Sequence, residues 1–398
     1  ICACLVGSEM CIRDSTNIVR ELMNKIHWNN RLIAIRGSRG VGKTTLMLQY
    51  IKLNYSPGSR VALYCTLDSI YFSSHTLLEL VEKFYLQGGK HLFLDEVHKY
   101  PTWSKELKEI YDLYPSMQIV FSGSSLLNIL NADADLSRRC LPYNMYGLSF
   151  REFLMFYKNI RIPVASLEEV LKNAGEICQG INEQCRPVQM FNEYLHDGYY
   201  PFFTGNREDY YMNIENVVNF ILEQEMPLLC GVDPAYVRKL KALLSILASS
   251  VPYEVDITKL AGIIGLTRNS VITYLQNLDR AELLKLLYSD LTSVKKMQKP
   301  DKIYLQNPNL LYAIASTSVQ IGTARETFVM SQLSVNHEIE YGKAQGDFVV
   351  DHKYTFEVGG ADKTFKQIAD LPDSFILADN IEYATGKKLP LWIVGLTY

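Results

Sequence analysis

The stretch RLIAIRGSRGVGKTTLMLQY, residues 31–50, joins a short apolar run to an amphipathic segment through a glycine-rich turn. The turn, residues 37–44, fits the pattern G-x-x-x-x-G-K-[ST] and stands between a predicted strand and a predicted helix. Glycines let such a loop curl so that backbone N–H groups and the helix N-terminus face phosphate oxygens. The stretch therefore predicts a P-loop that binds a nucleoside triphosphate, and ATP is the expected nucleotide.

The side chains of this loop have separate expected roles. Lys43 is expected to reach the β- and γ-phosphates, and Thr44 is expected to ligate Mg²⁺. The other residues expected to contact the nucleotide are Gly37, Ser38, Arg39, Gly40, Val41, Gly42 and Thr45.

A pair of acids ends the apolar run of HLFLDEVHKYP, residues 91–101. Asp95 is expected to complete the Mg²⁺ shell, and Glu96 is expected to be the general base that polarises the attacking water. The alternative is a strand followed by an acidic helix cap. Taken with the P-loop, the pair predicts hydrolysis as well as binding, and hydrolysis depends on Glu96.

Serines and arginines further along the chain are weaker candidates. Ser122 and Ser124 end the apolar run of QIVFSGSS, where a hydroxyl could contact the γ-phosphate or the attacking water, but serines there also cap helices. Arg138 and Arg139 could contact a γ-phosphate in their own subunit or in a neighbouring one. An exposed pair on a loop is the alternative for the two arginines.

Apolar runs alternate with amphipathic segments up to about residue 125, which is typical of parallel strands connected by helices. We therefore predict an α/β fold with a P-loop ATPase core over residues 16–150. The regions predicted to follow are a helical lid or connector at 151–233, a winged helix at 234–306 and a nuclease-like domain at 307–398.

Composition limits the class of protein. At about 100 to 200 residues per domain, the 398 residues fit two or three domains, and a formal net charge of -3 excludes a uniformly basic nucleic-acid binder. The eight cysteines form no C-x-x-C pair, and no apolar run approaches the ~18 residues of a membrane span. These features predict a cytoplasmic protein without a membrane segment. Residues 1–15 are interpreted as a non-native leader and enter no functional argument.

The order of the motifs resembles that of a known family. After the P-loop come LFLDEVHKYPTW, FSGSS, ADLSRR and GLSFREFL, an order similar to that of prokaryotic AAA+ ATPases with a C-terminal winged-helix and nuclease-like region of unknown function. The resemblance runs over about residues 16–398 and implies an additional-strand sheet of order 5-1-4-3-2. It also implies a sensor role for Ser122 or Ser124 and places Arg139 at the family's arginine. Many members read Leu-Ala-Gly-Arg where this chain has LSRR, so the choice between Arg138 and Arg139 stays open.

Residues 256–287 have the spacing of a helix-turn-helix followed by a wing. Thr267 is expected to cap the second helix. The residues expected on the outer face of that helix are Arg268, Asn269, Thr273, Gln276 and Asn277. Residues 233–302 contain eleven Lys or Arg against seven Asp or Glu, and those near the wing are Lys295, Lys296, Lys299 and Lys302. Contact with duplex DNA and a protein-binding or structural role both stay open.

Three acids in the C-terminal region could share one metal ion. Glu326 is predicted on a helix, and Asp347 and Glu357 on two adjacent strands, an arrangement used by nucleases of the PD-(D/E)xK pattern. That pattern has a lysine two residues after the last acid, whereas this chain has Gly359 there. We therefore expect a degenerate site, although Lys363 could swing in.

The leading prediction is an ATPase that hydrolyses ATP with Mg²⁺ and couples hydrolysis to DNA or a protein partner, as a monomer or an oligomer. One alternative is a metal-dependent nuclease regulated by ATP. The other is a regulator that binds ATP and DNA without turnover.

Overall fold

The computed structural model of the chain describes residues 18–126, 134–250, 253–254, 256–289, 299–315, 319–343 and 345–398. The chain divides into two compact units, Ile1–Tyr146 and Gly147–Tyr398. The predicted leader, residues 1–15, and Lys295 and Lys296 of the predicted wing lie outside the described residues. The first unit contains the P-loop, and the second contains the regions predicted to follow it.

Five parallel strands form the sheet of the first unit. They are β1 (Leu32–Arg36), β2 (Ala62–Thr66), β3 (His91–Asp95), β4 (Gln118–Gly123) and β5 (Leu141–Asn144). Their order in the sheet is β5-β1-β4-β3-β2, and every neighbouring pair is parallel. The predicted α/β class and the strand order 5-1-4-3-2 are therefore confirmed.

The sequence does not reveal β5. Its segment LPYN contains Pro142, and its side chains are mostly exposed, so it lacks the apolar run that identifies the other four strands. Strand β5 lies at the edge of the sheet, where proline is tolerated because one side of the strand needs no ladder hydrogen bonds.

Helices cover both faces of this sheet. They are α1 (Leu22–Lys25), α2 (Lys43–Asn54), α3 (Leu77–Leu86), α4 (Trp103–Leu113) and α5 (Ala134–Arg139). Successive side chains of β1 point to opposite faces, so Ile33 and Ile35 pack in the same core as the apolar residues of α2. Leu32 and Ala34 pack in a second core with residues of α3 and α4. The continuous apolar runs of the sequence are thus strands buried on both faces.

The second unit begins with helices. They are α6 (Phe150–Lys158), α7 (Leu167–Lys172), α8 (Ala174–Asn182), α9 (Pro187–Asp197), α10 (Arg207–Phe220) and α11 (Met226–Cys230). A π-helical turn, Ile221–Glu225, joins the last two. Within the described ranges, no helix of the chain is both long and apolar enough to cross a membrane.

A small antiparallel sheet follows, surrounded by three helices. These elements are α12 (Val237–Ser250), β6 (Tyr253–Glu254), α13 (Ile257–Ile264), α14 (Arg268–Arg280), β7 (Leu284–Leu287) and β8 (Lys302–Leu305). The order of the sheet is β6-β8-β7, with both pairs antiparallel. Thr267 caps α14 by accepting a hydrogen bond from Ser270 N, as its sequence predicts.

Two predictions about this region are wrong. Asn277 does not lie on the outer face of α14, because only 9% of it is exposed. Lys302 is not a surface wing residue, because it is buried and its ammonium lies 3.7 Å from the Glu326 carboxylate. The basic patch predicted near the wing is therefore smaller than the sequence indicates.

A mixed sheet and two helices complete the second unit. These elements are α15 (Pro308–Ile314), α16 (Ile321–Leu333), β9 (Ile339–Tyr341), β10 (Phe348–Val350), β11 (Tyr354–Gly359), β12 (Ser374–Ala378) and β13 (Lys388–Pro390). The order of the sheet is β13-β12-β11-β10-β9. Strand β10 is antiparallel to both of its neighbours, β9 and β11, and β11, β12 and β13 are parallel.

Candidate nucleotide-binding site

The loop between β1 and α2 needs glycine at three positions. Gly40 and Gly42 have φ values of 86° and 103°, in the left-handed region that side chains disfavour. A Cβ on Gly37 would stand 2.1 Å from the carbonyl oxygen of Met145, which follows β5. The glycines thus allow the loop to turn sharply while another backbone segment passes against it.

Lys43 is the first residue of α2, and its side chain folds back across this loop. Its ammonium donates hydrogen bonds to the carbonyl oxygens of Gly37 and Ser38, each 2.9 Å away. The residue is 93% buried, so its charge is held among backbone carbonyls of the loop itself. Thr44 is half-buried and Thr45 is exposed at the next two positions of the helix.

The Asp95 carboxylate accepts hydrogen bonds from three hydroxyl groups. Its Oδ2 lies 2.6 Å from Thr44 Oγ1 and 2.8 Å from Tyr64 OH. Its Oδ1 accepts from the Ser122 hydroxyl. Thr44, Asp95 and Ser122 lie at or near one edge of the parallel sheet, and the Tyr64 side chain reaches Asp95 from the middle of β2. Sequence reasoning identified Thr44, Asp95 and Ser122 but missed Tyr64, which is hidden in the apolar run of β2.

Glu96 follows β3 in a left-handed conformation with φ of 56°. Its backbone N–H donates to Ser122 Oγ at 3.1 Å, so Ser122 contacts both acids. Its Oε2 lies 3.5 Å from His98 Nε2 and 3.8 Å from Arg39 Nη1. This oxygen is buried and accepts no hydrogen bond from the part of the chain that the structure describes.

The other two candidates from the sequence lie in different surroundings. Ser124 is 98% buried, and its hydroxyl accepts a hydrogen bond from Leu126 N at 3.3 Å. Arg139 pairs with Asp112 at the end of α4, with 2.5 Å between Nη1 and Oδ1. Ser122 and Ser124 are therefore enclosed near the acids, whereas Arg139 is engaged elsewhere.

The position of Arg139 follows from the direction of the strands. Arg139 stands two residues before Leu141, the first residue of β5, and β5 runs parallel to β1. Arg139 therefore lies at the edge where the strands begin, while the P-loop follows the edge where they end. The four steps between the five residues of a strand, at about 3.3 Å each, separate the two edges by roughly 13 Å. This position and the Asp112 pair favour action on a neighbouring copy over contact with its own P-loop, and the choice between the two stays a prediction.

Thr44 and Asp95 have the chemistry that Mg²⁺ requires. Magnesium bound to a nucleotide takes oxygen ligands, generally one or two from the protein and the rest from phosphates and water. A hydroxyl and a carboxylate already in contact fit this requirement. Among the described residues, no group of three or more His, Cys, Asp and Glu side chains is arranged to hold a metal ion.

The three C-terminal acids lie among basic and hydroxyl groups. Glu326 accepts a hydrogen bond from Tyr304 OH at 2.7 Å, and burial, with the nearby Asp347, raises its pKa. Burial also raises the pKa of Glu357, which pairs with the Lys363 ammonium. The Asp347 carboxylate accepts a hydrogen bond from Val358 N at 2.8 Å.

Gly359 explains how Lys363 reaches this cluster. A Cβ on Gly359 would stand 2.7 Å from Lys363 Cδ, so a side chain at the position of the expected lysine would displace Lys363. The ammonium of Lys363 therefore reaches Glu357 from a turn further along the chain. A shared metal site for Glu326, Asp347 and Glu357 stays a prediction.

Comparison with known sequences agrees with the fold of the first unit. Residues 29–154 match the family described as AAA domain, and this match supports ATP binding. The chain is 29% identical over 305 residues to the Uncharacterized protein MJ1637 of Methanocaldococcus jannaschii, covering 72% of this chain and 63% of that relative. It is 24% identical over 273 residues to the Uncharacterized protein MJ1544 of the same organism, covering 65% and 56%. The chain thus spans less than two thirds of the length of these relatives.

Solved structures give matches with low TM-scores. The S. cerevisiae Hsp104-ADP complex has a TM-score of 0.30 and 13% identity, over 69% of this chain and 45% of that chain. C. elegans PCH-2 has a TM-score of 0.23 and 15% identity, over 69% and 67%. At these TM-scores the alignments do not bear on function.

Proposed function

We propose that the chain is an ATPase that hydrolyses ATP with Mg²⁺ at the Asp95 edge of its parallel sheet. The contact between Thr44 Oγ1 and Asp95 Oδ2 carries this proposal, because it unites the two expected Mg²⁺ ligands. Glu96 follows Asp95 directly, so a general base stands beside the expected metal site. The match to the AAA domain supports the nucleotide, and the geometry of Glu96 supports turnover.

Each residue then has a stated role in the reaction. Lys43 exchanges its two carbonyl partners for phosphate oxygens when ATP binds. Thr44 and Asp95 would hold Mg²⁺, which when bound would neutralise charge on the phosphates. Glu96 accepts a proton from the attacking water, whose oxygen bonds to the γ-phosphorus as the bond to the β-phosphate oxygen breaks and ADP leaves. Ser122 holds Asp95 through its hydroxyl and fixes the backbone of Glu96.

The test combines nucleotide binding with phosphate release. Lys43→Ala is expected to lose binding of a fluorescent ATP analogue, because no other described side chain of the loop supplies an ammonium. Phosphate release by the wild type is expected to require Mg²⁺. Binding that survives Lys43→Ala, or release that continues in excess chelator, would refute the proposal.

We further propose that α12, α13, α14 and the hairpin of β7 and β8 form a winged helix that engages a partner. The antiparallel order β6-β8-β7 and the Thr267 cap support this interpretation. Arg268, Asn269 and Thr273 are exposed on α14, so they are available to DNA or to a protein. Because Lys302 is buried, its charge is not available to contact DNA as expected from the sequence.

The salt dependence of ATP hydrolysis distinguishes a duplex DNA partner from a protein partner. If the winged helix binds the phosphate backbone, DNA stimulates ATP hydrolysis and the stimulation weakens as salt rises. Arg268→Ala is the variant to compare, with exposed Glu215→Ala on α10 as a control outside the helix-turn-helix. Absence of stimulation at low salt would favour a protein partner.

A further inference from the structure

His98 lies at the candidate catalytic site, although no motif identifies it. It belongs to a short 3-10 turn, Val97–Lys99, directly after Glu96. Only 1% of its side chain is exposed, so the imidazole is enclosed beside the two acids. One ring nitrogen faces Glu96 and the other faces the backbone that follows β4.

The hydrogen bond from the backbone fixes the proton of the ring. Ser124 N–H donates to His98 Nδ1 at 3.4 Å, so Nδ1 must be the unprotonated nitrogen. A neutral imidazole then carries its proton on Nε2, the nitrogen that stands 3.5 Å from Glu96 Oε2. The ring therefore presents a donor to the carboxylate oxygen.

The distance from His98 to Glu96 is longer than a hydrogen bond. Hydrogen bonds at catalytic groups are often long without substrate and shorten when substrate is bound. The left-handed backbone of Glu96 limits how its side chain can be directed, and Ser122 holds that backbone in place. A hydrogen bond to the carboxylate oxygen can therefore orient the Glu96 side chain, and His98 is a buried donor placed to make this bond.

We propose that His98 is a positioning residue that orients the Glu96 carboxylate toward the attacking water. Through Nδ1 it also ties this orientation to Ser124, at the end of the neighbouring strand. The role rests on the proposed hydrolysis and adds to it a residue that contacts neither nucleotide nor metal. Loss of His98 should therefore slow turnover without weakening ATP binding.

Three substitutions separate positioning from packing. In Gln the amide nitrogen is attached to Cδ and can reach the place of Nε2, whereas in Asn the amide is attached to Cγ and corresponds to Nδ1. His98→Ala is expected to lower kcat about tenfold with the Kd for ATP unchanged, the smaller end of the effect of losing an outer-shell partner. His98→Gln is expected to restore most of the lost kcat, and His98→Asn is not.

The experiment measures kcat by phosphate release and Kd with a fluorescent ATP analogue, for these variants, Glu96→Gln and the wild type. His91→Ala, at the other end of β3, is the matched control and should retain kcat. Thermal unfolding identifies variants that fold, and the comparison of His98→Gln with His98→Asn stands even if His98→Ala does not fold.

The results distinguish this role from the hydrolysis itself. Restoration by Asn and not by Gln would overturn the positioning role, because only the Ser124 contact would then matter. Wild-type kcat in His98→Ala, with release lost in Glu96→Gln, would overturn it and leave hydrolysis standing. Unchanged release in Glu96→Gln would overturn the hydrolysis proposal and the role of His98 with it.

Discussion

The Thr44 hydroxyl lies 2.6 Å from Asp95 Oδ2, so the P-loop helix and the third strand meet through one hydrogen bond. Their residues are far apart in the chain, but α2 begins and β3 ends at the same edge of the sheet. This contact brings together two oxygen groups suited to bind Mg²⁺, and one of them, Asp95, directly precedes Glu96 in the sequence.

Replacement of Thr44 tests the metal site. Thr44→Ala removes the hydroxyl ligand, so the Mg²⁺ concentration needed for half-maximal nucleotide binding should rise about tenfold or more. Thr44→Ser keeps the hydroxyl and should stay near the wild type. A Mg²⁺ titration of fluorescent ATP analogue binding measures both, and equal midpoints for Ala and Ser would contradict the assignment.

Ser122 is expected to stabilise the fold as well as the site. It is fully buried, donates to Asp95 and accepts from Glu96 N, so Ser122→Ala leaves two buried polar groups without this partner. The free energy of unfolding should fall by about 1 to 3 kcal/mol. Urea denaturation measures the loss. Ser116→Ala, on the exposed turn before β4, should change little, and an equal loss in both variants would argue against the special role of Ser122.

Substitution of Arg139 tests whether one copy of the chain supplies an arginine to the active site of another. Because Arg139 lies at the edge opposite its own P-loop, we expect that it serves a neighbouring copy if it acts on phosphate. Arg139→Ala and Lys43→Ala should each release little phosphate alone, and a mixture of the two should recover activity. Asp112→Asn breaks the same ion pair while keeping the arginine and should remain active. A mixture as inactive as its components would exclude action between copies.

The raised pKa of Glu326 predicts that the stability of the fold depends on pH. Burial, with Asp347 nearby, raises its folded-state pKa above the ordinary 4.5, so the folded protein holds the proton more tightly than the unfolded chain does. The stability from this proton is fully present below pH 4.5 and is lost as pH rises through the raised pKa. Glu326→Gln should therefore gain stability relative to the wild type as pH rises from about 4.5 to 7.

Chemical denaturation at several pH values measures this difference. Glu215→Gln, at an exposed position on α10, is the control and should show no such trend. A stability difference between Glu326→Gln and the wild type that does not change with pH would contradict the assignment.

The sequence predicts much of the first unit because its signals are local. Glycine spacing defines the loop before Lys43, and apolar runs define strands β1, β2, β3 and β4. Strand β5 lacks such a run, and its place depends on pairing with β1. Tyr64 also escapes prediction, because only the pairing of β2 with β3 brings it to Asp95. His98 is close to Glu96 in sequence, but no sequence pattern shows that its ring is buried against that acid.

The second unit shows the limits of reading charge from sequence. As a lysine near the predicted wing, Lys302 is expected in a basic surface patch. It is buried beside Glu326, which lies on a helix further along the chain. Lys363 likewise reaches Glu357 only because Gly359 leaves space for it. Such partners are distant in sequence, so no local pattern identifies them.

The most direct test of the account is steady-state phosphate release by Glu96→Gln at saturating Mg²⁺ and ATP. The account predicts that this variant binds ATP like the wild type but releases phosphate at least 100-fold more slowly, the lower end of what a general base contributes. Glu82→Gln, exposed on α3, is the matched control and should hydrolyse normally. Wild-type release by Glu96→Gln would contradict hydrolysis at this site.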